Sequence, residues 1–455
     1  MTKKILFNAF DMNCVGHIQQ GLWAHPRDQS RRYAELSYWT DYARKLEAGL
    51  FDGIFLADVV GVNDVLGGNN AAALRGAVQV PVNDPMLLVP AMAAVTQHLA
   101  FGITANLTYE PPFLFARRMS TLDHLTGGRM GWNIVTGYLD SAAKAIGLDA
   151  QAAHDDRYDL ADEYMEVVYK LWEGSWQDDA VLADGDNHLY ADPAKVHKVR
   201  HKGLQYSIDA IHLCEPSPQR TPVLYQAGSS TRGREFAATH AECVFVNGQK
   251  LEGVKGIIDD IRGRAVGYGR RPDDIKIFMG ATIVTGRTDK EAQEKFEDYR
   301  SYVSSEAALV HAAGSMGIDF DRYDLDEPIE TGKSAAIVSN VEAMTRSAGP
   351  QWTKRKLLEQ MVLGSRQPPM IGSAEKIADE LARWAAEAGV DGFNLSRTVV
   401  PECFDDIIAL VIPILQERGM YKTNYGDGPL RQKLFGAPRL PERHAGASHR
   451  ILKAA

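Results

Sequence analysis

Apolar positions along the chain alternate between two rhythms. Leu36, Trp39, Ala43, Leu46 and Leu50 recur at steps of three and four, which predicts a helix with one buried face. Leu160, Tyr164, Val167, Val168, Leu171 and Trp172 repeat that spacing behind Asp155 and Asp156, whose carboxylates suit the positive end of a helix dipole. Ile377, Leu381, Trp384, Ala385 and Ala388 predict a third helix. Between the helical stretches lie short, nearly continuous apolar runs at Ile5–Phe7, Gly53–Ala57, Phe101–Thr104, Trp132–Val135, Val223–Tyr225, Val244–Val246, Ile277–Met279 and Gly392–Leu395. Strands of that kind are buried on both faces, as in parallel sheets. Eight of them, each followed by a helical stretch, predict an α/β protein built as a (β/α)8 TIM barrel. Asp52-Gly53-Ile54-Phe55-Leu56 echoes Asp391-Gly392-Phe393-Asn394-Leu395, each behind a helix ending in Ala-Gly.

Two stretches break the alternation. Residues from about 174 to 221 are polar and proline-containing. Residues from about 304 to 372 mix Gly, Pro, Ser and charges, with one helical patch near Val341 to Leu363. Both read as loop insertions into a single barrel spanning 1–421. Residues 422–455 carry seven lysines and arginines against two acids, and read as an extended tail packing on its own barrel or on a partner subunit.

Composition narrows the class. The 455 residues are 45% hydrophobic and 24% charged, which suits a large folded core. A net charge of −9 without a basic stripe argues against nucleic-acid binding. Lys3 and Lys4 precede only three apolar residues, too few for a secretory signal. The most apolar stretch, Met86–Val95, is too short to span a membrane. Cys14, Cys214, Cys243 and Cys403 are far apart. The expectation is a cytoplasmic protein without a disulfide framework.

Common catalytic signatures are missing. His197 and His201 are four apart, but their neighbours are basic, so no metal site is expected. No Gly-x-Ser-x-Gly elbow and no Gly-x-Gly-x-x-Gly nicotinamide fingerprint occurs. What remains is a set of polar residues at strand ends, where barrels carry their functional groups. Asp58 follows the second strand, Thr104 and Asn106 end the third, Asn133 and Thr136 interrupt the fourth, and Ser229 and Ser230 follow the fifth. Gly228-Ser229-Ser230-Thr231-Arg232-Gly233 passes from strand to helix and reads either as a phosphate cradle, with Arg232 and Arg234 adding charge, or as a plain serine cap. His154 and Tyr158 share one face at a helix start.

With these segments in view, the chain resembles the bacterial-luciferase-like flavin monooxygenases, in particular the nitrilotriacetate, dibenzothiophene-sulfone and pristinamycin monooxygenase family. The resemblance rests on Phe55–Asp58, Pro85–Thr96, Ala116-Arg117 with Leu122–Thr126, Gly128–Thr136, His154–Tyr158, Gln226–Ser230, Ala388–Phe393, Val411–Gly419 and Tyr421–Leu434. It implies a monooxygenase using reduced FMN and O2 to oxygenate a small molecule. A separate NAD(P)H:FMN reductase would supply the flavin by diffusion, and the assembly would be a homodimer or homotetramer. Asp58, Thr104, His154, Tyr158 and Ser229, with Ser230, match the family's FMN contacts; Asn133 and Gly137 join them. Phe10, Phe55 and His17 match positions on the substrate side, His17 steering a proton or the substrate. Some sulfone-cleaving relatives carry a histidine in the long insertion, where this chain aligns Ser315, with His311 nearby. The opening Asn8–Asn13 with Val15-Gly16-His17 looks most like the dimethyl-sulfide-monooxygenase branch, implying an organosulfur substrate with C–S cleavage. Alternatives are an aminopolycarboxylate or other C–N substrate, a deazaflavin (F420)-dependent oxidoreductase and a non-enzymatic flavin-binding barrel.

Overall fold

The structure, a computed structural model, describes residues 3–228, 230–329, 352–360, 363 and 368–451. Eight parallel strands are β1 (Leu6–Met12), β2 (Gly53–Ala57), β3 (Ala100–Asn106), β4 (Met130–Val135), β5 (Val223–Gln226), β6 (Cys243–Val246), β7 (Lys276–Gly286) and β8 (Gly392–Ser396). Each pairs with the next in chain order, and β8 pairs with β1, so the sheet closes into a barrel. Every apolar run singled out in the sequence lies in or overlaps a barrel strand, because burial on both faces leaves a local signature.

Alternate residues of each strand face two different cores. Ile54, Leu56, Ile277 and Met279 join a large cluster between the sheet and the surrounding helices. Phe55, Tyr225, Phe245 and Phe278 fill the barrel interior. Phe55 lies 4.4 Å from Phe245, and Tyr225 stacks on Phe245 at 5.6 Å. Glycines on β3 and β4 make room for these rings. A Cβ on Gly102 would lie 2.7 Å from Phe55 Cδ2, and one on Gly131 2.5 Å from Tyr225 Cε2.

The helices follow most of the predicted faces, but Leu36, expected on the buried side, is 58% exposed at the first turn of its helix, where the chain has only begun to meet the barrel. α1 (Leu36–Ala48) buries Trp39, Ala43 and Leu46. It ends before Leu50, which takes a left-handed φ of 60°. α2 is Pro112–Leu125 and α3 His154–Gly174, the latter burying Tyr164, Val167, Val168, Leu171 and Trp172. α4 (Thr231–His240) and α5 (Leu251–Gly267) follow β5 and β6. The Ile377 pattern forms Ala374–Arg383, continued as a wider helical turn over Trp384–Ala388. The Asp-Gly echo has a structural cause. Asp52 and Asp391 each accept a backbone N–H from a neighbouring strand, Phe7 N at 2.8 Å and Ile277 N at 2.8 Å, at the N-terminal end of the barrel.

Within the first irregular region, Val181–Asp184 pairs with Leu189–Ala191 and Val199–Lys202 with Ser207–Ala210, as two antiparallel hairpins outside the barrel. In the second, α6 (Ser305–Met316) is buried from Ala307 to Met316. Much of the predicted helical patch near Val341 lies outside the described residues; Lys354–Gln360 within it is helical.

The described part of the tail lies across the N-terminal end of this chain's own barrel. Tyr425 donates to Phe51 O at 2.7 Å, Leu430 N to Gly128 O at 2.8 Å, and Arg443 pairs with Asp274. Arg431 is fully buried against Glu242. Among the described residues no helix is long and apolar enough to cross a membrane.

Candidate flavin site

The C-terminal strand ends gather the polar residues into two groups. The first lies over the barrel axis. Thr104 and Asn133 are register partners on β3 and β4, and Asn133 Nδ2 donates to Thr104 Oγ1 at 3.0 Å. They sit one side-chain layer above the aromatic plug, since Gly102 and Gly131 precede them on the same strand faces. Asn394 occupies the equivalent layer on β8, two residues beyond Gly392, which abuts Phe278. Asn133 Oδ1 and Asn394 Oδ1 are both buried acceptors that receive no hydrogen bond among the described residues. A buried amide oxygen left so is costly unless a ligand or water supplies a donor. A reduced flavin ring, with its N–H groups, is a ligand of that kind. Asn394 is absent from the sequence-based site, although it interrupts an apolar strand just as Asn133 does.

The second group surrounds the β5–α4 turn. Ser230 caps α4 and accepts Gly233 N at 3.0 Å, while its hydroxyl lies 3.3 Å from His154 Nε2. Tyr158 meets the His154 ring edge-on at 5.2 Å. Gly228 and Gly233 leave open the space beneath its hydroxyl; a Cβ on either would lie 2.6 or 2.8 Å from the phenol oxygen. Burial raises the Tyr158 phenol above its usual range, so the hydroxyl stays a neutral donor. A helix N-terminus with serine, tyrosine and histidine around it fits a phosphate. The sequence offers Arg232 and Arg234 as added charge here, but both guanidiniums are paired with carboxylates. Arg232 is drawn to Asp159 and Asp162 and lies over the Tyr158 ring, and Arg234 pairs with Asp260. Neighbouring helices supply those carboxylates, which the local sequence does not reveal. Ser229 lies outside the described residues.

Asp58 follows β2 directly. Burial, together with the Asp84 carboxylate, pushes its carboxyl up to about 7 against the opposing Val59 N–H. Gly137, after β4, lies against Asn106, Tyr109 and Gln151 with φ of 72°.

Phe10 and His17 form the remaining contact, edge to face at 4.7 Å, with Phe55 5.7 Å from Phe10. Phe55 itself belongs to the aromatic plug, beneath Phe10. The loop holding His17 is tied from two sides. Gln79 N donates to Gly16 O at 2.9 Å, and the Arg397 guanidinium donates to Cys14 O at 3.2 Å and Val15 O at 2.7 Å. Arg397 also pairs with Asp11 at 2.7 Å, deep in the protein. Burial pushes the Asp11 carboxyl up to about 6 even so. Sequence reasoning passed over this pair; its signal was a charge at the end of each of two adjacent apolar strands. Above the loop, Asn63 Nδ2 donates to Gln79 Oε1 at 3.2 Å, and α6 closes over Asn63 at Gly314, where a Cβ would overlap Asn63 Oδ1. His311 is buried on α6; Ser315 spends its hydroxyl on Ala312 O at 3.1 Å.

His201, one of the spaced histidine pair, lies 3.1 Å from Glu163, and His197 3.1 Å from Gln177. Among the described residues no group of three or more His, Cys, Asp or Glu is placed to hold a metal.

A closed parallel barrel with polar groups gathered at its C-terminal end is a barrel enzyme by architecture. The chain belongs to the luciferase-like monooxygenase family, whose model matches residues 12–392, and it is a flavin-dependent monooxygenase. It is 51% identical over 452 residues to the long-chain alkane monooxygenase of Geobacillus thermodenitrificans (strain NG80-2), covering 99% of both chains. It is 48% identical over 453 residues to the dimethyl-sulfide monooxygenase of Hyphomicrobium sulfonivorans, covering 99% of this chain and 94% of that one. A crystal structure of riboflavin lyase with modified FMN and substrate riboflavin superposes with a TM-score of 0.93 at 36% identity, covering 99% of this chain and 100% of that one.

Proposed function

We propose that this chain is the oxygenase of a two-component system: it takes reduced FMN from a separate NAD(P)H:FMN reductase and uses O2 to oxygenate a small neutral substrate. An organosulfur compound cleaved at C–S is the first choice. The carrying observation is the pairing of a phosphate-type cradle at Ser230, His154 and Tyr158 with unmet acceptors at Asn133 and Asn394 over the barrel axis. Ser229 and Asp58 complete the proposed contact set with Thr104. When bound, reduced FMN supplies the two electrons that activate O2.

The protein's own part is to bind, orient and exclude water. Ser230, Tyr158 and the α4 N-terminus hold the phosphate end. Thr104 fixes the Asn133 amide, so its oxygen faces the ring side. Phe10 and the plug beneath it give the ring an apolar floor. α6, seated on Asn63, shuts the loops from solvent, which oxygen chemistry requires. Asp58, with its carboxyl near neutrality, holds or yields a proton at the mouth. His17, braced by Phe10, orients the substrate.

The substrate side supports a neutral compound over an aminopolycarboxylate. The Arg397 guanidinium is committed to Asp11 and two carbonyls, the Phe10 ring packs on His17, and the space around His17 is shared with Val15, Gln19, Leu22 and Asp28, whose carboxylate would repel an anionic substrate. The similar identities to alkane and dimethyl-sulfide oxygenases leave both substrate types for one experiment. Photoreduced FMN is titrated anaerobically, then oxygenated with dimethyl sulfide, an n-alkane or an aminopolycarboxylate. The expected result is substrate-dependent oxygen uptake and a product carrying one added oxygen, or its C–S cleavage fragment. Turnover with reduced deazaflavin and no oxygen, or tight oxidised FMN with no coupled uptake, overturns the reading.

A further inference from the structure

We infer that Gln226 is a positioning residue for the phosphate end of the site, orienting the Tyr158 hydroxyl toward the ligand. The inference rests on the flavin reading above. Gln226 is the last residue of β5. Its predecessor Tyr225 points into the aromatic plug, so the Gln226 side chain points outward, beneath the turn into α4. There it is buried to 3% exposure. Its Nε2 lies 3.5 Å from the Tyr158 oxygen. A Cβ on Gly228 would overlap that amide and come within 2.6 Å of the phenol oxygen, so the glycine, the amide and the phenol fill one another's space.

The direction of the hydrogen bonds follows from the donors available. An amide N–H can only donate, so the Tyr158 oxygen accepts from Gln226 and its own proton must point elsewhere. Ser230 Oγ, which accepts Gly233 N and lies beside His154 Nε2, is the other side-chain hydrogen-bond partner of the phenol. With Gln226 donating from behind, the phenol proton is turned to the Ser230 side, at the helix start where an anion would sit. Gln226 Oε1 is buried and receives no hydrogen bond among the described residues, a second sign that this corner is completed by a ligand or its water.

The test compares anaerobic binding of reduced FMN and reduced riboflavin, which differ by the phosphate. Wild type, Gln226→Met, Tyr158→Phe and the double variant are measured, with Gln226→Glu as a near-isosteric second substitution in case the methionine disturbs folding. One charge-assisted hydrogen bond corresponds to about tenfold in affinity. The expected result is a loss of about that size for FMN in Gln226→Met, no change for riboflavin, and a double variant no weaker than Tyr158→Phe alone. Gln226→Glu should lose FMN at least as strongly, because its carboxylate would accept the Tyr158 proton and turn it away from the phosphate. An unchanged FMN-to-riboflavin ratio in the glutamine variants, or additive losses in the double variant, overturns the inference alone. A wild type that does not prefer FMN to riboflavin overturns the cradle reading and this inference with it.

Discussion

Replacing Arg431 by Met should cost about 4 kcal/mol of stability while leaving flavin affinity intact. The guanidinium is fully buried, 212 positions beyond Gln219, one of the residues it binds. Nε and Nη2 donate to the two Glu242 oxygens at 2.7 and 2.9 Å, Nη2 also to Thr221 O and Pro222 O at 2.9 and 3.0 Å, and Nη1 to Gln219 O and Pro438 O at 3.3 and 3.2 Å. Removing one partner of a buried ion pair costs about 3–5 kcal/mol, because the other charge stays desolvated. Here Glu242 would keep only the Leu224 N–H at 3.1 Å, and four carbonyls would lose a donor. Adding Glu242→Gln removes the stranded charge and keeps an acceptor for Leu224. The double variant should therefore recover at least half of the loss. Equilibrium urea unfolding of the four proteins closes the cycle. Because Gln219 and Glu242 precede β5 and β6, the pair lies at the end of the barrel opposite the site, so reduced-FMN titrations should superpose. A single variant within about 1 kcal/mol of wild type, or additive losses in the double, would refute the tail as a buried lock on the barrel floor.

Asp58→Asn should flatten part of the pH dependence of stability. A carboxyl raised in the folded state to about 7 contributes stability that is full below its unfolded value and lost as the pH rises through 7. The difference between variant and wild-type unfolding midpoints should thus grow from pH 4 to 7 and level off above; parallel profiles count against the assignment. Gly314→Val should lift α6 from Asn63 and raise hydrogen peroxide release per reduced flavin several-fold, with Asn63→Ala restoring much of the coupling; an unchanged peroxide yield excludes α6 as the water seal. His17→Ala should bind reduced FMN normally yet lose most substrate-coupled oxygen uptake, and full coupled turnover would remove His17 from the mechanism.

Much of the candidate site is marked in the sequence itself. Asp58, Thr104 and Asn133 stand out because a polar side chain at the end of a doubly buried strand has few explanations. His154 and Tyr158 stand out because spacing of four puts them on one helical face. Asn394 carried the same mark as Asn133. Arg232 and Arg234 are a different case. Their charges suit a phosphate in isolation, but Asp159, Asp162 and Asp260 come from other helices and take them away.

The sequence by itself determined the order and type of the eight β/α units, since apolar runs and helical periodicity are local consequences of burial; that the last strand closes on the first is a long-range pairing. The sequence could not determine where buried charges find partners. Arg397 meets Asp11 across the seam that closes the barrel, and Arg431 meets Glu242 from a tail that reads as merely basic. Nor could it show that the described tail lies on its own barrel, or that Gly314 lets α6 settle on Asn63. Those outcomes depend on which distant groups share a desolvated space, and the tertiary structure alone decides that.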